Sequence, residues 1–189
     1  QDFGVELTVA PVDLMNAEAH SGYINDESIL NTGNHREPNL EQIVAAQPDL
    51  VINGQRYAQY YEDIAALLPQ GSVILEFDAA TRDPGTFFTG LMDTTEVLGE
   101  IFQKDQQAQD LNEALQTQMD RVAAAYDGEA TVMGLLTSGG DINYAGPTQG
   151  RGVAPIFQEF DLVPALEVAD QSSDHEGDDI SVEAIADSN

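Results

Sequence analysis

Residues Lys104 to Tyr126 read KDQQAQDLNEALQTQMDRVAAAY, a stretch without glycine or proline in which Ala108, Leu111, Leu115, Met119, Val122 and Tyr126 recur at steps of three and four. That spacing predicts the apolar stripe of an amphipathic helix. At about 1.5 Å per residue such a helix spans roughly 30 Å, the width of a small domain, so its two ends need not share one core. Strand and helix patterns flank it on both sides, and the stretch reads as a beam joining two lobes. An ordinary long core helix is the alternative that this stretch alone leaves open.

On the N-terminal side, Val5 to Pro11 predicts a short strand, followed by a polar loop with His20, Tyr23, His35 and Arg36. Asn39 can cap a helix with Gln42 at the third position, and Leu40, Ile43 and Val44 supply its buried face. Pro48 ends that helix, and the all-apolar run Leu50 to Ile52 predicts a strand covered on both faces in a parallel sheet. Gly54, Gln55 and Arg56 then form the loop at its carboxyl end. Tyr60 to Leu68 predicts a helix, Val73 to Phe77 a strand, and Asp83-Pro84 a helix start, with Phe87, Phe88, Leu91, Leu98 and Ile101 inward. Beyond the beam the pattern restarts: Ala130 to Thr137 as a strand, a Gly139-Gly140-Asp141 turn, Ile142 to Ala145 as a strand, and a helix near Val153 to Phe160.

This alternation predicts an α/β fold of two parallel-sheet lobes joined by one long helix, with loops gathered at a ligand-binding edge. The expected division is an N-terminal lobe over 1–103, the connecting helix over 104–126 and part of a C-terminal lobe over 127–189. Leu40 to Ile52 (LEQIVAAQPDLVI) has an echo in Val182 to Asn189 (VEAIADSN). The first copy runs on into a buried strand and the second stops where that strand would begin, so the second lobe is expected to be incomplete. Chance likeness between two amphipathic helices is the alternative.

The formal net charge is -28, from 34 acidic against 6 basic residues. Such an excess argues against nucleic acid or an anionic membrane surface, both of which need a basic footprint. A solvated acidic surface is the plainest account of it. There is no cysteine, which excludes disulfides and thiolate metal sites. No apolar run approaches the roughly 18 residues of a membrane span, and a soluble chain, mature or trimmed, is expected.

Scarcity makes the arginines informative. Arg56 follows a predicted buried strand, and Arg151 lies in the loop YAGPTQGRG ahead of a predicted helix. If both edge loops face one cleft, the two guanidiniums suit an anionic ligand. Surface arginines paired with the abundant carboxylates are the competing account. His175 lies in SSDHEGDD between Asp174 and Glu176, beside groups able to bind a divalent ion. The segment matches neither a zincin helix nor a calcium EF-hand loop. Tyr57, Tyr60, Tyr61 and Tyr144 border these loops as candidate pocket-lining residues, with core packing the alternative for Tyr60 and Tyr61. Nothing resembles a nucleophile elbow, a P-loop or a dinucleotide fingerprint.

Together, EPNLEQIVAAQPDLVINGQRYAQYYEDI, FFTGLMDTTEVLGEIF, GPTQGRG and SSDHEGDDISVEAIADSN resemble the iron-siderophore substrate-binding proteins of ABC importers, above all the branch that binds ferric catecholates. The resemblance implies a class III periplasmic-binding-protein-like fold and a non-enzymatic protein with no intrinsic cofactor. It also implies a monomer that binds a ferric siderophore in the inter-lobe cleft and hands it to a membrane permease. Arg56 falls at the family's first-lobe arginine, with Gln55 where glycine is usual. Arg151 matches the second-lobe arginine, in a loop that looks one residue longer. His175 matches a histidine that, in some members, completes iron left unsaturated by a tetradentate siderophore, together with a tyrosine. That tyrosine and a third arginine would lie beyond Asn189, and a first strand-helix unit and a lipoprotein cysteine before Gln1. The implied location is extracytoplasmic and lipid-anchored. Two further readings stand beside this one: a metal-dependent hydrolase using Asp174, His175, Glu176 and Asp178, and a direct metal-ion binder using His20, His35 and His175.

Overall fold

The computed structural model describes residues 3–77, 83–138, 140–174 and 176–188, with the side chains of Gln55 and Ser138 outside that description. The chain divides into two compact units, Gln1–Ala79 and Ala80–Asn189.

In the first unit the order is β1 (Val9–Ala10), a 3-10 turn at Val12–Leu14, α1 (Ser21–Ile24), β2 (Leu30–Asn31), α2 (Glu41–Ala46), β3 (Leu50–Asn53), a 3-10 helix at Gln55–Tyr60, α3 (Tyr61–Leu67) and β4 (Val73–Glu76). β1 pairs parallel with β2, and β3 pairs parallel with β4 from Leu50 opposite Val73 to Asn53 opposite Glu76. A parallel pair needs a crossover, which α3 supplies between β3 and β4. Asn39 does not cap α2 as expected: the N-cap position falls on Leu40, which makes no side-chain cap, and Asn39 Oδ1 accepts instead from the Glu41 backbone N–H at 3.1 Å in the turn just before the helix. Gln47 in the left-handed region (φ 45°) closes the helix ahead of Pro48. Ala10, Ile29, Ile43 and Ile64 are buried.

The expectation that β3 is covered on both faces is not met. Ile52 is 51% exposed, and Val73 on β4 is 50% exposed. In that two-stranded sheet Leu50, on the same side of β3 as Ile52, is only half-buried. Sequence reading also passed over β2, whose two residues are too few to show a period.

The second unit opens with Asp83, whose Oδ1 accepts from Gly85 N–H at 2.9 Å and caps the 3-10 turn Pro84–Thr86. There follow α4 (Phe87–Phe102), α5 (Asp105–Ala125), β5 (Thr131–Val132), β6 (Leu135–Ser138), β7 (Asp141–Tyr144), α6 (Ala154–Glu159), β8 (Val163–Pro164), β9 (Asp178–Asp179) and α7 (Val182–Asp187). β5 pairs parallel with β8, while β6, β7 and β9 form an antiparallel sheet in the order β6-β7-β9. The single strand expected over Ala130 to Thr137 is thus two, interrupted at Met133 and Gly134, and the second turns back as a hairpin. A glycine inside a strand pattern marks such a break.

α4 packs on α5, and its Phe88 ring meets Phe160 at the end of α6, centroids 6.3 Å apart. Gln103 (φ 54°) turns the chain, and Lys104 N–H donates to Gly99 O at 2.7 Å. Gly99 sits at a close approach of the two helices: a Cβ there would lie 2.5 Å from Ala108 Cβ. Farther along, Asn112 Nδ2 donates to Met92 O at 3.1 Å. The inward face of α5 is therefore Ala108 and Met119, with Asn112 and Leu115 half-buried, while Leu111 and Val122 of the predicted stripe are exposed.

Gly99→Ala is expected to destabilise the protein by about 1–3 kcal/mol despite its better helix propensity, because the new methyl overlaps Ala108. Adding Ala108→Gly should recover part of that loss in a double-mutant cycle read from urea midpoints. A single variant as stable as the unsubstituted protein would show that the helices separate at no cost.

Candidate functional site

The first unit gathers its polar groups where β2 and β3 end. Past β3, Gly54 leads into the 3-10 helix Gln55–Tyr60, in which Tyr57 N–H donates to Gly54 O at 3.1 Å and Gln59 Nε2 to Arg56 O at 3.3 Å. Arg56 projects from the first turn of this helix and is exposed. The segment leaving β2 is fastened to the same helix. The hydroxyls of buried Thr32 and of Tyr57 are 3.2 Å apart, and the Tyr60 hydroxyl lies 3.1 Å from His35 O and 3.3 Å from Arg36 O, donating between the two carbonyls. The Tyr57 and Tyr60 rings are 6.0 Å apart at 60°.

This fastening puts His35 among cations. Its pKa is lowered from the ordinary 6.5, first by desolvation, then by the charge of Arg56 and then by that of Arg36. Its Nδ1 is buried without a hydrogen-bond partner among the described residues, as is Nδ2 of Asn53 at the end of β3. Sequence reading noted His35 and Arg36 only as loop residues. The signal that would have raised them is the strand β2 just before them, which sets its following loop at a strand end.

In the second unit Arg151 is exposed in the turn that leads into α6. The loop is built from the inside. Gly150 N–H donates to Gly146 O at 2.8 Å, Ala154 N–H to Gly150 O at 2.8 Å, and Gln158 Nε2 to Thr148 O at 3.3 Å. Gln171 Oε1 accepts from both the N–H and the hydroxyl of Thr148, at 3.1 and 2.7 Å. Gln171 and Gln158, neither singled out from sequence, are thus the braces of the arginine loop. Tyr144 does not line this surface. It is 2% exposed and its hydroxyl donates to Leu166 O at 2.6 Å, so the ligand-facing role expected of it gives way to packing. Desolvation, followed by the charges of Asp178 and Glu167, raises its pKa.

His175 lies outside the described residues. Its neighbours make a turn. Asp174 Oδ1 accepts from Glu176 N–H at 2.8 Å and Gly177 N–H at 2.9 Å, and both Asp178 oxygens accept from Ser172 N–H at 3.1 and 3.0 Å. Asn143 Nδ2 donates to Glu176 O at 2.8 Å, tying the turn to β7. Gly177 (φ 77°) must be glycine here, since a Cβ would meet Tyr144 O at 2.6 Å. Among the described residues, no three of His, Cys, Asp or Glu are placed to hold a metal ion, and His20 and His35 do not join such a group. A groove of about 630 Å³ along α4 and α5 is lined by Asp93, Glu96, Glu100 and Asp105, the wrong sign for an anion.

The whole chain, residues 1–189, matches the family model described as periplasmic binding protein, and the chain belongs to that family. The ferric-anguibactin-binding protein FatB of Vibrio anguillarum is 31% identical over 103 residues, 54% of this chain and 31% of FatB. Among solved structures, the siderophore-binding protein BauB, bound to two acinetobactin molecules and ferric iron, superposes with a TM-score of 0.82 at 23% identity, over 99% of this chain and 62% of BauB. The periplasmic catecholate-siderophore binding protein VctP of Vibrio cholerae gives 0.77 at 20% identity, over 99% of this chain and 63% of VctP. The chain thus spans less than two thirds of the relatives it matches. These likenesses establish the class III periplasmic-binding-protein fold.

The depressed His35 pKa gives a signed prediction. The unfolded chain takes up this proton near 6.5 while the folded chain resists it, so the unfolded state binds more protons and stability falls as pH drops below 6.5, until folded His35 also titrates. His35→Gln should flatten that part of the curve, followed by urea midpoints between about pH 7.5 and 5. An unaltered curve would assign the effect to another group.

Proposed function

We propose that this protein is an extracytoplasmic solute-binding protein that captures a ferric siderophore, of catecholate type, and delivers it to an ABC permease. Arg56 of the first unit and Arg151 of the second bind the oxygens of the anionic iron complex through charge-assisted hydrogen bonds, and Tyr57 supplies an aromatic wall beside Arg56. His175 completes the iron where a tetradentate siderophore leaves coordination open. A lipid anchor holds the full-length protein at the membrane.

Membership of the periplasmic binding protein family supports capture and delivery rather than catalysis. FatB, BauB and VctP, each named for siderophore binding, support a ferric complex as the cargo. The observation that carries the reading is an exposed arginine in the loop after β3, Arg56, and another in the loop before α6, Arg151, in a chain with 6 basic residues against 34 acidic. At physiological salt the Debye length is about 8 Å, so cations at the site outweigh the distant acidic surface.

Calorimetric titration of the full-length protein with a ferric triscatecholate complex is expected to show saturable binding. Arg56→Gln and Arg151→Gln should each weaken it about tenfold or more with unchanged melting temperature, since both side chains are exposed. Absence of binding heat, or full affinity in both variants, would overturn the reading.

A further inference from the structure

The first unit holds two of the chain's basic residues, Arg36 and Arg56, among many carboxylates, and dispersed salt bridges would be the ordinary use of both. They are used differently. Among the described residues neither guanidinium is held in an ion pair, and both residues are exposed. The two segments that carry them are instead joined by the Tyr60 hydroxyl, at 3.1 and 3.3 Å from the carbonyls of His35 and Arg36, and by the Thr32–Tyr57 hydroxyl pair at 3.2 Å. Both charges act on one imidazole, that of His35. Two cations that both reach one side chain favour an anion beside it.

A second observation points the same way. Three buried side-chain nitrogens lack a partner among the described residues, and two of them, His35 Nδ1 and Asn53 Nδ2, belong to the segments that carry Arg36 and Arg56. Buried polar atoms are rarely left unpaired, and unmet hydrogen-bonding capacity beside two cations fits an oxygen-rich anion.

We infer that Arg36 is a second ligand-binding cation of the first unit, forming with Arg56 a two-arginine grip that selects a net-anionic ferric complex over a neutral one. This rests on the siderophore reading above. A neutral complex offers no charge to either guanidinium, whereas a polyanionic one presents an oxygen to each. Arg36 thus sets which charge class is bound, and Tyr60 is a positioning residue that acts through the Arg36 main chain.

The test titrates the full-length protein, unsubstituted and as Arg36→Gln, Arg36→Lys and Arg56→Gln, with a ferric triscatecholate complex and with a neutral ferric trihydroxamate, each at low and high salt. Arg36→Gln should bind the anionic complex about tenfold more weakly and lose part of its salt dependence, with Arg36→Lys recovering some of both. Its affinity for the neutral complex should not fall. Wild-type affinity and salt dependence in Arg36→Gln, while Arg56→Gln is weakened, overturn the role of Arg36 alone. An equal loss for both complexes overturns the charge selection. Failure of the unsubstituted protein to bind either complex overturns the siderophore reading and the Arg36 assignment with it.

Discussion

The Tyr60 hydroxyl stands between the main-chain carbonyls of His35 and Arg36, and the Thr32–Tyr57 contact secures the same segment one turn earlier. Two stretches of chain separated by a helix and a strand are held as one surface by these side chains. Without them, loops leaving β2 and β3 would each be free to take the conformation that best solvates an arginine. The parallel pairing of β3 with β4 sets where the 3-10 helix begins, and the tyrosines then fix what approaches it. Cation placement in the first unit follows from these two constraints.

The second unit reaches a comparable result by other means. Its arginine loop is held from within, by main-chain contacts between Gly146, Gly150 and Ala154, and from outside by Gln171 and Gln158. Short polar side chains replace aromatic ones as the fasteners. In both units the basic side chain stays exposed while its backbone is pinned, an arrangement suited to meeting a ligand with little ordering cost.

Elements with a strong local signal were legible in the sequence: α5 and α4 from their periodicity, the capped start at Asp83, and the β3–β4 pair from its apolar runs. Each depends on interactions a few residues apart. What was not legible depends on distant partners. β2 exists because β1 lies beside it, and the antiparallel return of β6 into β7 reads the same in one dimension as two parallel strands. The sequence suggests a first lobe over 1–103, and the contact pattern groups α4 with α5 and α6 in the unit Ala80–Asn189. For the site, scarcity identified Arg56 and Arg151 by position. Tyr144 went astray because a tyrosine next to a loop looks the same in sequence whether its hydroxyl meets a ligand or, as here, Leu166 O.

The spacing of 6.0 Å between the Tyr57 and Tyr60 rings has an optical consequence. The chain contains no tryptophan and 6 tyrosines, so its intrinsic ultraviolet emission is that of tyrosine alone. Two of those six emitters sit in the helix that carries Arg56, close enough to exchange excitation with each other. Any ligand that absorbs in the near ultraviolet and docks beside that helix would act as an energy sink for both, and the extinguished share of the glow would report occupancy without any attached dye.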